Sequence, residues 1–430
     1  MLRASEVSPP QRTAVRSCGL DFGTSNSTVA LVRGGRPELA PVEGDKPTIP
    51  SAVFFPSARK GGVFGRAAIA AYTDGEQGRF MRAIKSILGQ GLFHEKTPIQ
   101  GRQVALSYVL KLFLAHLKQA AETCAGEAMD DAVLGRPVQF IEDDTEADAR
   151  AQEDLAQAAR AVGFRHIAFQ YEPIAAALDY ELTVGKEELV FVVDIGGGTA
   201  DFSIVRVSPE KSRKSDRRGD ILANRGVRVG GTDFDSLLSL TAVMPLFGLG
   251  SRTADGKAEL PKWIYHELST WSQIAFLYSQ KVRSVLRGIR YDAERGDLVD
   301  RLIRVIEHQE GHRIIDHVEG AKIQLSEARY ARIDLDSVEP GLAADIDRDG
   351  FERAILPGLA RIEKAITATA VDAGLDRSAI EAVFLTGGSS AIPILRKRVS
   401  ELLPNARLSD GDMFGSVGKG LGLDAHRKFG

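Results

Sequence analysis

Apolar residues in this chain fall into two kinds of pattern: short continuous runs, and stretches at helical spacing. Val190–Val193 and Phe202–Val207 are runs of the first kind, and they predict strands buried on both faces. Gly196, Gly197 and Gly198 lie between them in a turn too glycine-rich for helix. Similar runs predict strands in the stretch from Cys18 to Val32, at Ser51–Phe55, Ala132–Leu134, His166–Tyr171 and from Ala382, the last running into the turn Gly387-Gly388. Helical spacing is present at Val104, Tyr108, Leu112 and Ala115, and a helical pattern is read up to Arg79–Gly89. An alanine-rich helix is expected from Thr145, with Asp148 three residues on, to Gly163. Glu172-Pro173 opens another, since proline is tolerated in a first turn. Residues 233–330 read as mostly helical, and a helix through Leu403 follows the last glycine turn. Strand and helix alternate, which is the α/β class.

Two stretches share one design. Asp194 ends a strand, glycines follow, and Asp201 begins the next strand; Asp21, Gly23 and Leu31-Val32 repeat the arrangement at a constant offset. Glycine turns leave backbone N–H groups uncovered, a surface that cradles phosphates, and flanking carboxylates add a place for a cation or a water. A hairpin repeated half a chain apart implies two lobes, each offering a phosphate loop to one cleft.

Composition narrows the classes. At 430 residues the chain can bury two substantial cores, and Lys+Arg 55 against Asp+Glu 58 steers it neither to nucleic acid nor to an anionic membrane. Cys18 and Cys124 alone build no disulfide framework, which suits a reducing cytoplasm. The first residues lack the apolar core of a signal peptide, and no run is long enough for a membrane helix, so a soluble cytoplasmic protein is expected. Residues 1–16 read as a disordered tail, and the basic loop 208–220 as a solvated hairpin tip. Gly415–Gly420 has neither the spacing nor the hydroxyl of a P-loop, and Gly387–Ala391 lacks the last glycine of a nucleophile elbow. His308 and His312 stand one helical turn apart without a third ligand and read as exposed helix histidines. Trp263 and Trp271 read as core or partner surface rather than as a stacking site.

Asp21-Phe-Gly-Thr-Ser-Asn-Ser27, Tyr171-Glu-Pro-Ile-Ala-Ala-Ala177, Asp194-Ile-Gly-Gly-Gly-Thr-Ala-Asp201, Val229-Gly-Gly-Thr-Asp-Phe-Asp235 and Leu385-Thr-Gly-Gly-Ser-Ser390 occur in that order. Together they resemble the actin-like ATPase superfamily, and within it the ATPase domain of DnaK-type heat-shock chaperones. Gly135–Pro137, Phe169–Pro173 and Asp412–Val417 look closest to the short YegD-like branch. The resemblance implies an actin-like ATPase fold, two duplicated ribonuclease-H-like lobes around a nucleotide cleft. It places the first lobe at 17–188, with a trimmed outer subdomain at about 66–130, and the second at 189–430, with an enlarged helical one at about 233–325.

By the same resemblance ATP or ADP would bind with Mg²⁺, K⁺ being a further candidate cation. Asp21 and Asp194 would hold Mg²⁺ through water, while Gly23, Thr24, Ser25 and Asn26 would wrap the β-phosphate. Gly196, Gly197, Gly198 and Thr199 would face the γ-phosphate, and Lys85 would steady it. Asp201 would orient or deprotonate the attacking water, with Glu172 holding a metal-bound water beside Pro137. Gly230, Gly231, Thr232, Glu319, Lys322, Ser326, Gly387, Gly388, Ser389 and Asp412 resemble the ribose and adenine side. Ile323 and Ala391 stand where the family sandwiches adenine between arginines, a loss of about 0.5–2 kcal/mol of cation–π attraction for each. The chain stops at Gly430 just after the fold completes, so no peptide-binding domain is expected. The expected function is a slow chaperone-like ATPase with an unidentified client or co-chaperone; the alternatives are a filament-forming actin-like protein and a small-metabolite kinase of the same superfamily.

Overall fold

The computed structural model of the chain describes residues 16–141, 144–181, 184–211, 214, 216–409 and 415–430. Most of the expected amino-terminal tail, and Asp412, lie outside the described residues. In the first half β1 (Ser17–Phe22), β2 (Asn26–Arg33) and β3 (Arg36–Leu39) form an antiparallel meander. β4 (Asp131–Arg136) then joins β1 in parallel, and β5 (His166–Tyr171) joins β4, giving the order β5-β4-β1-β2-β3. The second half repeats this plan. β6 (Glu188–Ile195), β7 (Ala200–Val207) and β8 (Ile221–Val227) are antiparallel, β9 (Ala382–Thr386) and β10 (Arg407–Ser409) are parallel additions, and the order is β8-β7-β6-β9-β10. The duplication expected from the two hairpins therefore extends to both sheets.

The continuous apolar runs follow from this layering. Successive side chains of a strand point to opposite faces, so a strand covered on both sides needs apolar residues at every position. On β6, Phe191, Val193 and Ile195 enter one core with the helix Leu356–Asp372, while Val190 and Val192 enter another. That second core holds the helices Glu172–Glu181 and Ser416–Phe429, which join the two lobes. Gly420 permits their close approach, because a methyl group there would overlap the Ala175 carbonyl.

Outer pieces flank the cleft. In the first lobe Ala52–Pro56 pairs with Val63–Phe64 and with Gly78–Arg82, and the helix Gly65–Thr73 covers them. In the second, the helices Gly231–Leu238, Trp263–Leu268, Gln280–Asp292, Gly296–Glu307 and Gly311–Glu327 pack into one large core.

Four expectations are corrected. Arg79–Arg82 is strand, and only Ile84–Ile87 turns helically, because antiparallel pairing of Phe80 with Phe54 overrides the local pattern. The alanine-rich helix Thr145–Ala161 is capped by Asp144, whose carboxylate accepts from the Ala147 N–H at 2.9 Å; Asp148 instead pairs with Arg136 at 2.8 Å. The loop after β7 is not simply solvated. Arg217, only 1% exposed, donates two hydrogen bonds to Glu181 and one to Asp220, and Lys211 reaches Asp220. His308 follows the helix Gly296–Glu307, whereas His312 is buried in the next helix.

Candidate functional site

Asp21 lies near the end of β1, and the turn to β2 carries Gly23, Thr24 and Ser25, with Asn26 opening the strand. Ser51, directly before the run Ala52–Pro56, holds this turn: its Oγ donates to Gly23 O at 2.7 Å and its N–H to Ser25 O at 2.8 Å. Ser51 was not foreseen, and only its place at the head of a strand could have signalled it. Gly23 is required by the turn, since a side chain would overlap the Asn26 carbonyl.

The second loop is tighter. Asp194 and Asp201 are cross-strand partners on β6 and β7, so register alone sets their carboxylates side by side. Between them the Gly196 N–H donates to Thr199 O at 2.9 Å. The loop is anchored to the helix Gly231–Leu238: Gly231 and Thr232 donate their N–H groups to Gly196 O and Gly197 O at 2.9 and 2.7 Å. The Gly230 N–H donates to the Asp233 carboxylate at 2.8 Å. Across the cleft, the Gly197 N–H donates to Ser25 Oγ at 3.1 Å, so the two glycine turns meet.

Four carboxylates and one ammonium converge where they meet. Lys85, from the turn Ile84–Ile87, donates to Glu172 Oε1 at 2.7 Å, with side chains 10% and 15% exposed. Loss of hydration raises the Asp194 carboxyl to about 8, helped by Asp201, Glu172 and Asp21. It raises Asp21 to about 7, helped by Glu172 and opposed by Lys85. Burial alone would lower the Lys85 ammonium, but Glu172, Asp21 and Asp194 hold it above its ordinary value. Pro137, Glu172, Asp194 and Asp201 line a cavity of about 20 Å³ in this floor, room for about one water.

This donor set fits a hard divalent cation. It offers only oxygen, and burial together with repulsion among the acids drives Asp21 and Asp194 toward protonation, which a bound cation would oppose. Among the described residues no three metal-ligating side chains come together directly. A cation would therefore keep water or phosphate oxygens in much of its shell, as Mg²⁺ does.

The other end is looser. Lys322 Nζ lies 2.8 Å from Asp235 Oδ1 and donates to Gly231 O at 3.3 Å; a Cβ on Gly231 would lie 2.7 Å from Ser389 Oγ. The structure thus gathers Gly230, Gly231, Lys322 and Ser389. Asp235, which sequence reasoning missed, joins them: burial raises its carboxyl to about 6, Lys322 opposing and Glu319 assisting. Its signal was its place at the end of the stretch Val229–Asp235, one helical turn after Gly231, to which no role had been given. Gly387, at φ 80°, sits where a methyl would come within 2.7 Å of Asp194 Oδ1. Ser326 turns its hydroxyl to Lys322 O of its own helix at 3.4 Å, Ile323 is 60% exposed, and Gly388 and Thr199 are exposed.

Comparison with known proteins gives consistent matches. The family model described as "Hsp70 protein" matches residues 17–244 and 303–411. The chain is 27% identical to the chaperone protein HscA of Cronobacter sakazakii over 95% of its own length and 58% of that protein. It is also 27% identical to the HscA proteins of Salmonella heidelberg and Klebsiella pneumoniae, over 97% of itself and 59% of each. It thus spans a little under three-fifths of the length of these relatives.

Proposed function

The chain belongs to the Hsp70 family, and on that premise we propose that it is a chaperone-like ATPase whose two lobes close on nucleotide. Its fold is the actin-like ATPase fold of that family. The observation that carries the proposal is the crowding of Asp21, Glu172 and Asp194 around Lys85, with Asp201 beside Asp194, where two glycine turns meet.

Each residue has a physical task in this reading. Asp21 and Asp194 hold Mg²⁺ through water, and the ion when bound supplies charge neutralisation at the phosphate oxygens. Glu172 fixes the Lys85 ammonium by their 2.7 Å hydrogen bond, keeping it charged and aimed at the γ-phosphate. Asp201, on the cavity wall, orients the attacking water and takes its proton. Thr24, Ser25 and Asn26 and the turn residues Gly197, Gly198 and Thr199 present backbone N–H groups to the phosphates, while the Gly196 N–H closes the turn on Thr199 O. Gly197 now donates to Ser25, so a phosphate oxygen taking that N–H would tie nucleotide to the contact between lobes.

Ribose and base fall to Gly230, Gly231, Thr232, Glu319, Lys322, Ser326, Gly387, Gly388, Ser389 and Asp412, with Asp235 positioning Lys322. Ile323 and Ala391 supply apolar faces without cation–π attraction, so nucleotide is expected to bind more weakly by about 0.5–2 kcal/mol for each arginine absent. K⁺ could share the phosphate floor. A protein client or co-chaperone would meet the enlarged helical subdomain. Among the described residues no helix is long and apolar enough to cross a membrane, and we place the protein in the cytoplasm.

Thermal unfolding with ADP and Mg²⁺ tests the binding. Ligand at a hundred times its dissociation constant should add about 2.7 kcal/mol of stability, and no shift at millimolar nucleotide would overturn the reading.

A further inference from the structure

Lys85, the ammonium of the phosphate floor, is carried by no long element. It sits in the four-residue turn Ile84–Ile87, between Ala83 at φ 59° and Gly89 at φ 73°. The bonds inside this stretch only fold it on itself. The Ser86 N–H donates to Ala83 O at 3.1 Å, and those of Leu88 and Gln90 donate to Lys85 O and Ile87 O at 3.3 Å. Among the described residues, two backbone N–H groups of this stretch tie it to distant parts of the chain. Upstream, Ala83 donates to Ser51 O at 3.2 Å. Downstream, Gly89 donates to Asp154 Oδ2 at 3.0 Å. Lys85 lies between these two anchors, and its ammonium reaches out to Glu172.

The second anchor is chemically unlike its surroundings. The helix Thr145–Ala161 buries five alanines and one leucine, and Asp154 is the ionisable residue among them. A carboxylate only 9% exposed costs free energy unless it accepts hydrogen bonds, whereas an aliphatic residue would bury there freely. What it accepts is the Gly89 N–H; beyond that, His94 Nε2 lies 3.7 Å from Oδ1 with its side chain 68% exposed. Gly89 rests directly on the helix, since a Cβ there would lie 2.4 Å from Ala147 O and 3.0 Å from Ala151 Cβ. No side chain cushions the turn, so where this helix holds Gly89 decides where the turn lies.

We propose that Asp154 is a positioning residue for Lys85: it pins Gly89 to the helix Thr145–Ala161 and so fixes the turn from which the ammonium reaches the γ-phosphate. The proposal rests on the ATPase reading above. Asp154 touches neither nucleotide nor water in this role. It acts through the four residues between the anchor and Lys85, and a misplacement of about 1 Å at a reacting centre costs about a hundredfold in rate.

The test is single-turnover phosphate release from bound ATP and Mg²⁺, with ATP affinity measured separately. Asp154→Ala should release phosphate about tenfold or more slowly, with ATP affinity within about twofold of wild type. Asp154→Asn, whose amide oxygen still accepts from Gly89, should recover most of the rate. Glu153→Ala, which removes an exposed neighbour paired with Arg160, should leave the rate unchanged. In Lys85→Ala protein the residual release should be no slower with Asp154→Ala added, because both changes remove one contribution; a merely structural role would slow it by the same factor again. Should Asp154→Ala fail to fold, Asp154→Leu, which suits the aliphatic helix face, carries the same expectation. Release within about twofold of wild type in the folded variant, equal loss in the alanine and asparagine variants, or a second full loss in Lys85→Ala protein overturns the positioning role and leaves the ATPase reading standing. Failure of the wild-type protein to release phosphate from bound ATP overturns both.

Discussion

Replacing Lys85 by alanine removes the ammonium that faces Asp21, Glu172 and Asp194, and its consequence depends on pH. Lys85 and Glu172 form an ion pair at 2.7 Å with 10% and 15% of their side chains exposed. Removing one partner of such a buried pair costs about 3–5 kcal/mol when the other stays charged. The acids have an alternative, because Asp21 at about 7 and Asp194 at about 8 already take up protons near neutrality. Without Lys85, which lowers both, they do so further. A carboxyl raised in the folded state holds a proton that the unfolded chain has released, so stability falls as pH rises from its ordinary range to its folded value. The Lys85→Ala penalty should therefore be about 3 kcal/mol near pH 8.5 and less than about 1 kcal/mol near pH 5.5. Urea unfolding without nucleotide, at both pH values, measures it. Adding Glu172→Gln, which removes the stranded charge, should recover more than half of the penalty near pH 8.5. An equal penalty at both pH values, or no recovery, would refute the charge argument.

Other consequences are more local. Arg217→Ala should destabilise the protein by about 3–5 kcal/mol, because it strands the buried Glu181 while Asp220 keeps Lys211; Arg217→Lys should restore little, since an ammonium cannot match the forked contact with Glu181. Gly387→Ala, at φ 80° and ψ 149° beside Asp194, should lose about 1–3 kcal/mol from backbone strain alone and most phosphate release, as thermal unfolding and a phosphate assay would show. The nucleotide-free wild-type protein should melt progressively lower between about pH 5 and pH 8, and Asp194→Asn should flatten that slope.

The two glycine turns and the acids that flank them were legible in the sequence because their parts are local. A buried run, a glycine turn and a second run prescribe two strands and a loop, and register then pairs Asp194 with Asp201 without further help. The repeat at Asp21 made the two-sheet plan legible as well. What stayed hidden depends on distant partners. Arg79–Arg82 reads as helix until Ala52–Pro56 is there to pair with it. Arg217 reads as a solvated cation because Glu181, 36 residues earlier, is invisible to local pattern. His312 reads as exposed until Tyr72 and Trp271 fold around it. Asp235 and Lys322 meet only when two helices pack, so nothing near either residue announced the pair.

The central claim is that this floor of acids and one lysine hydrolyses ATP with Asp201 acting on the water. Single-turnover release of phosphate from preloaded ATP and Mg²⁺, in wild-type protein and Asp201→Asn, tests it most directly. Phosphate should appear in the wild-type protein, only with Mg²⁺, and should slow by about a hundredfold or more in the variant while ATP binding stays within severalfold. Equal rates in the two proteins, or no phosphate from wild type with ATP bound, would contradict the account.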